Sequence, residues 1–241
     1  MAENEAFYDN PDALAQYRAH RSKPDNPNNT LERPVFLELA GNLTNLEIID
    51  LGCGDASFGR EALRKGAKSY TGIEISEVMV AIAQQTLANT PGRVHHQRIE
   101  SWQPLDESAN LVCSRLALNY VENLELVFQK SYIALRPNGR FIFSIEHPVI
   151  TSNFDSLATG HRTNWLVDNY FKPGPRKHIW LGQEVTKYHH TLEEYVELTK
   201  SANFTLEQLR ESRPRKKDFS SQEEYERRLR IPMFLFISAK K

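Results

Sequence analysis

The sequence predicts an α/β protein in which a doubly wound, mostly parallel sheet carries helices on both faces. Between residues 46 and 146, apolar runs of strand length alternate with helical patterns of roughly ten residues, which is typical of a parallel sheet. The first run ends at a turn with Gly52 and Gly54, and the second ends near an acid, Glu74. In doubly wound sheets this order builds a nucleoside site, because the acid accepts hydrogen bonds from ribose hydroxyls.

The amino-acid composition limits the class of protein to which this chain belongs. The chain has 241 residues, of which 40% are apolar and 25% charged, and this fits one globular domain rather than a disordered chain. The net charge of −1 argues against a general nucleic-acid binder. Cys53 and Cys113 lack metal-ligand spacing, and we interpret them as reduced thiols of a cytoplasmic protein. The N-terminus does not read as a signal peptide, and no apolar run approaches the ~20 residues that span a bilayer.

The elements follow in order from periodicity and capping signals. Residues 191–194 and 220–223 are capping boxes, each of which predicts the start of a C-terminal helix. The predicted strands lie at 46–51, 69–75, 94–99, 110–114, 140–145, 204–209 and 233–238, and the last is expected to pair antiparallel. The predicted helices lie at 12–20, 31–43, 58–63, 77–87, 124–135 and 191–202, with a short one after residue 220.

Residues 147–190 interrupt this alternation. They are rich in glycine, proline, aromatic residues and histidine. A segment of this length without a regular pattern inside a compact domain is usually functional. We therefore interpret it as an insertion that covers the substrate and contains one hairpin.

The residues around the glycine turn indicate which nucleoside binds. A dinucleotide fingerprint, G-x-G-x-x-G, would need glycine where the chain has Ser57. Asp50, near the end of the first strand, suits a pyrophosphate poorly because like charges would meet in a partly desolvated pocket. It suits a cationic ligand better, and adenosine joined to an amino-acid sulfonium is S-adenosylmethionine (SAM).

The same motifs resemble a known family. Asp-Leu-Gly-Cys-Gly at 50–54 and Gly-Ile-Glu-Ile-Ser at 72–76 look like motif I and the next strand end of the class I SAM-dependent methyltransferases. Segments 111–114, 118–121, 135–141 and 143–148 are similar to later strands of that family, and the last two resemble its small-molecule branch. The chain departs from the family at Ala56, where a third glycine is common.

The resemblance implies a Rossmann-like fold with a seven-stranded sheet, in a single methyltransferase domain of residues 1–241. It also implies the division of this domain: a lid of N-terminal helices at 1–44, a SAM-binding core at 45–146, the covering insertion at 147–190, and a C-terminal helix and strands at 191–241.

Cofactor contacts are expected from the lid, the glycine turn and the following strand ends, with SAM or its product S-adenosylhomocysteine as the ligand and no metal. The lid residues and the corner at 100–102 rest on the resemblance. The expected contacts are Tyr17, Arg21, Asp50, Gly52, Cys53, Gly54, Glu74, Ile75, Met79, Glu100, Ser101, Trp102 and Ser114. The residues expected to face the acceptor are Asn119, Tyr120, Trp165 and Tyr170.

Two histidines are candidate general bases. Methyl transfer from a sulfonium needs mainly alignment and the exclusion of water, and it needs a base only if the acceptor must lose a proton. His147 follows the fifth strand next to Glu146, which is able to orient its imidazole, and His189 is the second candidate. A structural role for either histidine stays open at this point.

The predicted function is the transfer of a methyl group from SAM to an oxygen, nitrogen or carbon atom of a small molecule. We expect no nucleic-acid or membrane partner, and a monomer or a homodimer. Three alternatives remain open: an RNA or protein methyltransferase of the same fold, an NAD-type oxidoreductase, and a SAM-binding protein without catalytic activity.

Overall fold

A computed structural model describes residues 7–23, 25–158 and 164–241, so the remaining positions of the predicted lid and insertion lie outside the described part. The strands are β1 (Glu47–Leu51), β2 (Ser69–Glu74), β3 (Gly92–His96), β4 (Ala109–Arg115), β5 (Leu135–Glu146), β6 (Gly174–Trp180), β7 (Gln183–His189), β8 (Thr205–Glu211) and β9 (Phe234–Lys240). The α-helices are α1 (Pro11–Arg21), α2 (Arg33–Ala40), α3 (Ser57–Arg64), α4 (Glu77–Thr86), α5 (Leu124–Ala134), α6 (Pro148–Thr151), α7 (Leu192–Ser201) and α8 (Gln222–Arg228).

Seven of these strands form one sheet in the order β3-β2-β1-β4-β5-β9-β8. The pairs among β1 to β5 are parallel, whereas β9 runs antiparallel to β5 and β8. The predicted sheet, with its antiparallel last strand, is therefore confirmed. Strand order reverses between β1 and β4, and in such sheets ligands bind at this reversal, outside the carboxyl ends of the strands.

Helices cover both faces of the sheet, as predicted. Ile48 of β1 packs in a buried cluster with Phe36 of α2 and Phe58 of α3. Its neighbour Ile49 packs in a second cluster with residues of α5 and α7, including Phe128. Successive side chains of a strand point to opposite faces, so the two clusters are the two faces of one core.

Three predicted boundaries are wrong. β3 ends at His96 because residues 98–102 form a turn, in which the Trp102 N–H donates to the Arg98 carbonyl (3.1 Å) and which buries the Trp102 ring. β5 begins at Leu135 rather than at residue 140. The second helix is shorter than predicted, because a π-helical turn occupies Asn28–Glu32 and Gly41, at φ +66°, follows the last helical residue.

The insertion contains the predicted hairpin. β6 and β7 pair antiparallel over their full length, and Leu181 and Gly182 connect them with φ values of +47° and +79°. Two positive φ values in a two-residue connection match the twist of a hairpin. Within the ranges described here, no helix combines the length and the apolar character that crossing a bilayer requires.

Candidate active site

The carboxylate of Glu74, at the end of β2, fixes the glycine turn that follows β1. Its Oε2 accepts a hydrogen bond from the Gly54 N–H (2.8 Å). Its Oε1 accepts from the N–H groups of Ile75 (2.9 Å) and Ser76 (3.0 Å). Burial raises the pKa of Glu74, and these three donors act against that shift. One carboxylate therefore joins the turn, the end of β2 and the start of α4.

The two glycines of the turn are required for different reasons. Gly52 has φ +75°, and a Cβ there would lie 2.3 Å from the Cβ of Ala117, so glycine lets the loop after β4 pass close by. Gly54 has φ +56°, and a Cβ there would meet no atom within 4 Å. Its backbone therefore borders open space, as a ligand-binding turn requires. Ala56, where the sequence departs from the family, also has a positive φ (+54°).

Asp50 lies beneath the turn rather than on its surface. Its carboxylate is 2% exposed, and its Oδ2 accepts a hydrogen bond from the Tyr70 hydroxyl (2.7 Å). Burial raises the pKa of Asp50 to about 6, although the Tyr70 hydrogen bond and the positive charge of Arg115 lower it. Asp50 does not line the cavity described next, so its predicted direct contact with the cofactor stays a prediction.

A cavity of about 920 Å³ opens at the carboxyl ends of β1 and β4. One end, which we call the turn end, is lined by nine residues from the N-terminal segment, the glycine turn, β2, α4 and the turn after β3. Those residues are Tyr8, Tyr17, Gly52, Gly54, Glu74, Ile75, Met79, Ile99 and Glu100. Seven of the thirteen residues predicted to contact the cofactor lie here, and they come from separate parts of the chain.

The N-terminal segment is tied to the turn end by an aspartate that the sequence analysis did not single out. Asp9 Oδ1 accepts hydrogen bonds from the Ser76 hydroxyl (2.5 Å) and from the Val78 N–H (3.2 Å). This contact holds the rings of Tyr8 and Tyr17, which pack edge to face with centroids 5.0 Å apart, against the cavity. The structure thus places part of the predicted lid over Glu74.

Arg21 of α1 does not line the cavity, but its charge acts on both lid tyrosines. Among the described residues, its Nη1 is buried without a hydrogen-bond partner. A buried guanidinium N–H with no acceptor is costly, and the predicted contact of Arg21 with the cofactor stays a prediction.

The other end of the cavity, which we call the hairpin end, lies between the loop after β4 and the hairpin β6–β7. Its lining is mostly aromatic, with two charged groups from β5 and β7, and includes Tyr120, Glu146, Ile150, Phe154, Trp165, His178, Trp180 and Lys187. Arg227, Arg228 and Arg230, from α8 and the residues after it, line the same cavity. Lys187 Nζ lies 2.6 Å from Glu146 Oε1, and the lysine side chain is 4% exposed. Two of the four predicted acceptor contacts, Tyr120 and Trp165, are among these residues.

The two candidate bases, His147 and His189, lie outside the cavity lining. His147 has Nε2 3.1 Å from Glu211 Oε1, while its Nδ1 accepts from the Val149 N–H and caps α6. His189 is fully buried, with Nδ1 2.7 Å from Thr151 Oγ1 and Nε2 2.9 Å from the Tyr170 carbonyl. Both nitrogens of each imidazole are engaged within the protein, so neither is placed to receive a proton from an acceptor.

Six further predicted contacts support the site without lining it. Three hold the strand ends: Ser114 donates to the Leu51 carbonyl (2.7 Å), Asn119 Oδ1 accepts from the Glu146 N–H (2.8 Å), and the Cys53 side chain packs against Gly72. The other three are Ser101, which is exposed, Trp102, which is in the core, and Tyr170, whose hydroxyl accepts from the Leu192 N–H (3.1 Å). They position neighbouring segments instead of meeting a ligand.

Sequence reasoning missed the charged pair at the hairpin end. One signal was present: alternate residues Val185, Lys187 and His189 share a face of β7, and all three are buried. A lysine on the buried face of a strand needs a partner. Nothing in the sequence indicated that Glu146, 41 residues earlier, is that partner.

We predict that Asp50→Asn stabilises the protein at neutral pH. Because the folded pKa of about 6 exceeds the usual 3.8, the contribution of Asp50 to stability is complete below its unfolded pKa and is lost as pH rises through about 6. Urea unfolding should therefore give a higher unfolding free energy for the variant at about pH 8, by about 1–3 kcal/mol, and a smaller difference at about pH 4. Exposed Asp106→Asn is the control, and an equal gain at both pH values would contradict this account.

Comparison with known proteins agrees with this architecture. Residues 48–139 match the model of a methyltransferase domain family. A SAM-dependent methyltransferase from Mesorhizobium loti is 31% identical, with a TM-score of 0.80 over 92% of this chain and 100% of that one. A Listeria monocytogenes protein assigned to the same class is 31% identical, with a TM-score of 0.79 over 87% of this chain and 96% of that one.

A more distant relative is trans-aconitate 2-methyltransferase of Variovorax paradoxus, which is 29% identical over 140 residues, 58% of this chain and 49% of that protein. The structural relatives match nearly the whole chain, and the domain match contains both the glycine turn and Glu74. The protein therefore belongs to the SAM-dependent methyltransferases.

Proposed function

We propose that this enzyme transfers the methyl group of SAM to an oxygen, nitrogen or carbon atom of a small molecule bound at the hairpin end of the cavity. The observation that supports the proposal is that one cavity is lined both by Glu74 and by the Lys187–Glu146 pair. Its volume of about 920 Å³ is at the upper limit of the ~300–1,000 Å³ usual for ligand pockets. An acceptor therefore has room beside the cofactor.

In this proposal the turn end holds the cofactor. Glu74 accepts from three backbone donors, so about one of its roughly four lone-pair sites, on Oε2, is left for a ribose hydroxyl. Gly54 exposes backbone to the amino-acid part of the cofactor, while Ile75 and Met79 offer apolar surface to the adenosine. When bound, SAM supplies a methyl group on a sulfonium, which needs no further activation.

The chain's own contribution is alignment and the exclusion of water. Tyr8 and Tyr17 close the cavity on one side, where Asp9 ties the N-terminal segment to α4. Trp165, Trp180 and Phe154 line it on the side of the insertion. Holding two reactants in a dry, fixed geometry lowers the entropic part of the barrier, and this is the main requirement for displacement at an activated methyl group.

Two observations support a small acceptor rather than RNA or protein. In the basic run at 213–217, Arg215 is paired with Glu38 (2.6 Å) and lies 3.7 Å from Asp218, so part of its charge is neutralised. The lining of the hairpin end is rich in aromatic rings, which suits a small flat molecule better than a phosphate backbone. The name of the relative from Variovorax paradoxus likewise indicates a small-molecule acceptor for that protein.

The acceptor class is tested with SAM that carries a radioactive methyl group. The enzyme is incubated with bacterial extract separated into dialysable small molecules, RNA and protein. We expect label in the small-molecule fraction only. Transfer to RNA or to protein would overturn the small-molecule proposal, and absence of transfer to every fraction would favour a SAM-binding protein without catalytic activity.

We predict that Glu74→Ala weakens SAM binding by about 1.5–3 kcal/mol, which corresponds to roughly 10- to 150-fold in Kd, because charge-assisted hydrogen bonds are lost and the glycine turn loosens. Calorimetric titration measures the change. Glu77→Ala is the matched control, since Glu77 is exposed three residues further along the chain. Equal SAM affinity in the two variants would remove Glu74 from the cofactor site.

A further inference from the structure

The Lys187–Glu146 pair is built into the hairpin end in a fixed arrangement. Lys187 Nζ donates to Glu146 Oε1 (2.6 Å) and lies 5.4 Å from the ring centroid of Tyr120 and 5.6 Å from that of Trp180. Burial lowers the pKa of Lys187, but the neighbouring Glu146 outweighs it and the net shift is upward, so the ammonium stays charged. The Asn119 side chain holds the backbone of Glu146 in place.

The second oxygen of Glu146 is not used within the protein. Among the described residues, Oε2 is buried and has no hydrogen-bond partner, although Glu146 lines the cavity. A buried carboxylate oxygen without a donor is unfavourable, and a buried ion pair adds little stability. The arrangement is therefore better explained by a ligand that supplies a donor than by folding.

The residues around Glu146 Oε2 indicate the shape and polarity of the rest of that ligand. The rings of Phe154 and His178 stack with centroids 4.1 Å apart and an angle of 18° between planes, and Trp180 lies on the same side of the cavity. Burial and the charge of Lys187 lower the pKa of His178 to about 3, so its ring is neutral at physiological pH. The hairpin end thus offers flat apolar surfaces around the Lys187–Glu146 pair.

From this geometry we propose that the acceptor is a flat molecule whose nucleophile carries a hydrogen, as a hydroxyl or an amine does, and that it donates this hydrogen to Glu146 Oε2. The inference rests on the proposed function and narrows its acceptor class. During transfer, the lone pair of the nucleophile forms the bond to the methyl carbon while the electron pair of the carbon–sulfur bond moves to sulfur. The proton passes to Glu146, which is then the catalytic base in place of His147.

The charge balance argues against a carboxylate as the nucleophile. The charge of Lys187 is already neutralised by Glu146, so a carboxylate placed against Oε2 would meet a like charge there. Arg227, Arg228 and Arg230, which also line the cavity, belong to α8 and the residues after it and not to this pair. Like charges in a partly buried site repel strongly, and a carboxylate acceptor has no proton for a base to remove. Lys187 acts as a positioning residue, because it keeps Glu146 oriented without contacting the nucleophile.

The test compares two probes on the enzyme saturated with S-adenosylhomocysteine: phenol, which has a donor, and benzoate, which has a carboxylate. Binding is followed by ligand-observed NMR titration. For the wild type we expect phenol to bind at least about tenfold more tightly than benzoate. Glu146→Gln, which leaves Lys187 uncompensated, should raise benzoate affinity by about tenfold and lower that of phenol. Glu184→Gln is the matched control on the exposed side of the same hairpin and should change neither.

Two results with the wild type would overturn the inference. One is that benzoate binds as tightly as phenol, and the other is that neither probe shows saturable binding. An unchanged preference in Glu146→Gln would also overturn it, since a merely structural Glu146 would not set the charge preference of the cavity. Affinity for S-adenosylhomocysteine is measured for every variant and reports correct folding. If the wild type fails to bind that ligand, the proposed function itself fails, and the two failures are therefore distinguishable.

Discussion

The buried carboxylate of Glu74 is the interaction on which the rest of the site depends. It accepts hydrogen bonds from N–H groups of the turn after β1 and of the start of α4, so the ends of the parallel strands β1 and β2 are joined at one carboxylate. Ser76, whose N–H it binds, is also the N-cap of α4 and donates its hydroxyl to Asp9. The glycine turn, the helix and the N-terminal segment therefore share one anchor, and a disturbance there would reach all three.

Two buried acids, Asp50 and Glu74, and the partly exposed Glu146 are best understood through function. Asp50 and Glu74 are almost fully buried and both have raised pKa values, and one oxygen of Glu146 has no partner among the described residues. Burying ionisable groups is unfavourable unless each finds compensation. All three lie at or near the carboxyl ends of the central strands β1, β2 and β5, where the fold class places ligands.

Local signals in the sequence were sufficient to predict the sheet and most of the residues at the turn end of the cavity. Strand-length apolar runs, capping residues and the spacing from Gly54 to Glu74 all act over short distances, so they predicted β1, α3, β2 and α4 in order. Ala56 shows the limit of such signals, because its left-handed conformation is visible only in the folded backbone. The reason for Gly52 was likewise hidden, since it depends on Ala117 of a later loop.

The hairpin end was less predictable because it depends on contacts between distant residues. Glu146 and His147 are neighbours, and the sequence does not indicate which of them faces the cavity. The fold turns His147 towards Glu211 and leaves Glu146 to meet Lys187, whose strand is brought there by the insertion. The partner of His147 lies 64 residues away in the sequence and that of Glu146 lies 41 residues away. A pattern of local periodicity carries no information about such distant partners.

The most direct test of the account is a crystal structure of the wild-type protein grown with S-adenosylhomocysteine, with NAD supplied in a parallel experiment. Clear density is expected for the adenosyl ligand at the turn end, with a ribose hydroxyl donating to Glu74 Oε2 and the amino-acid part beside Gly54. Density for NAD at that position, or an adenosyl ligand whose ribose does not contact Glu74, would contradict it.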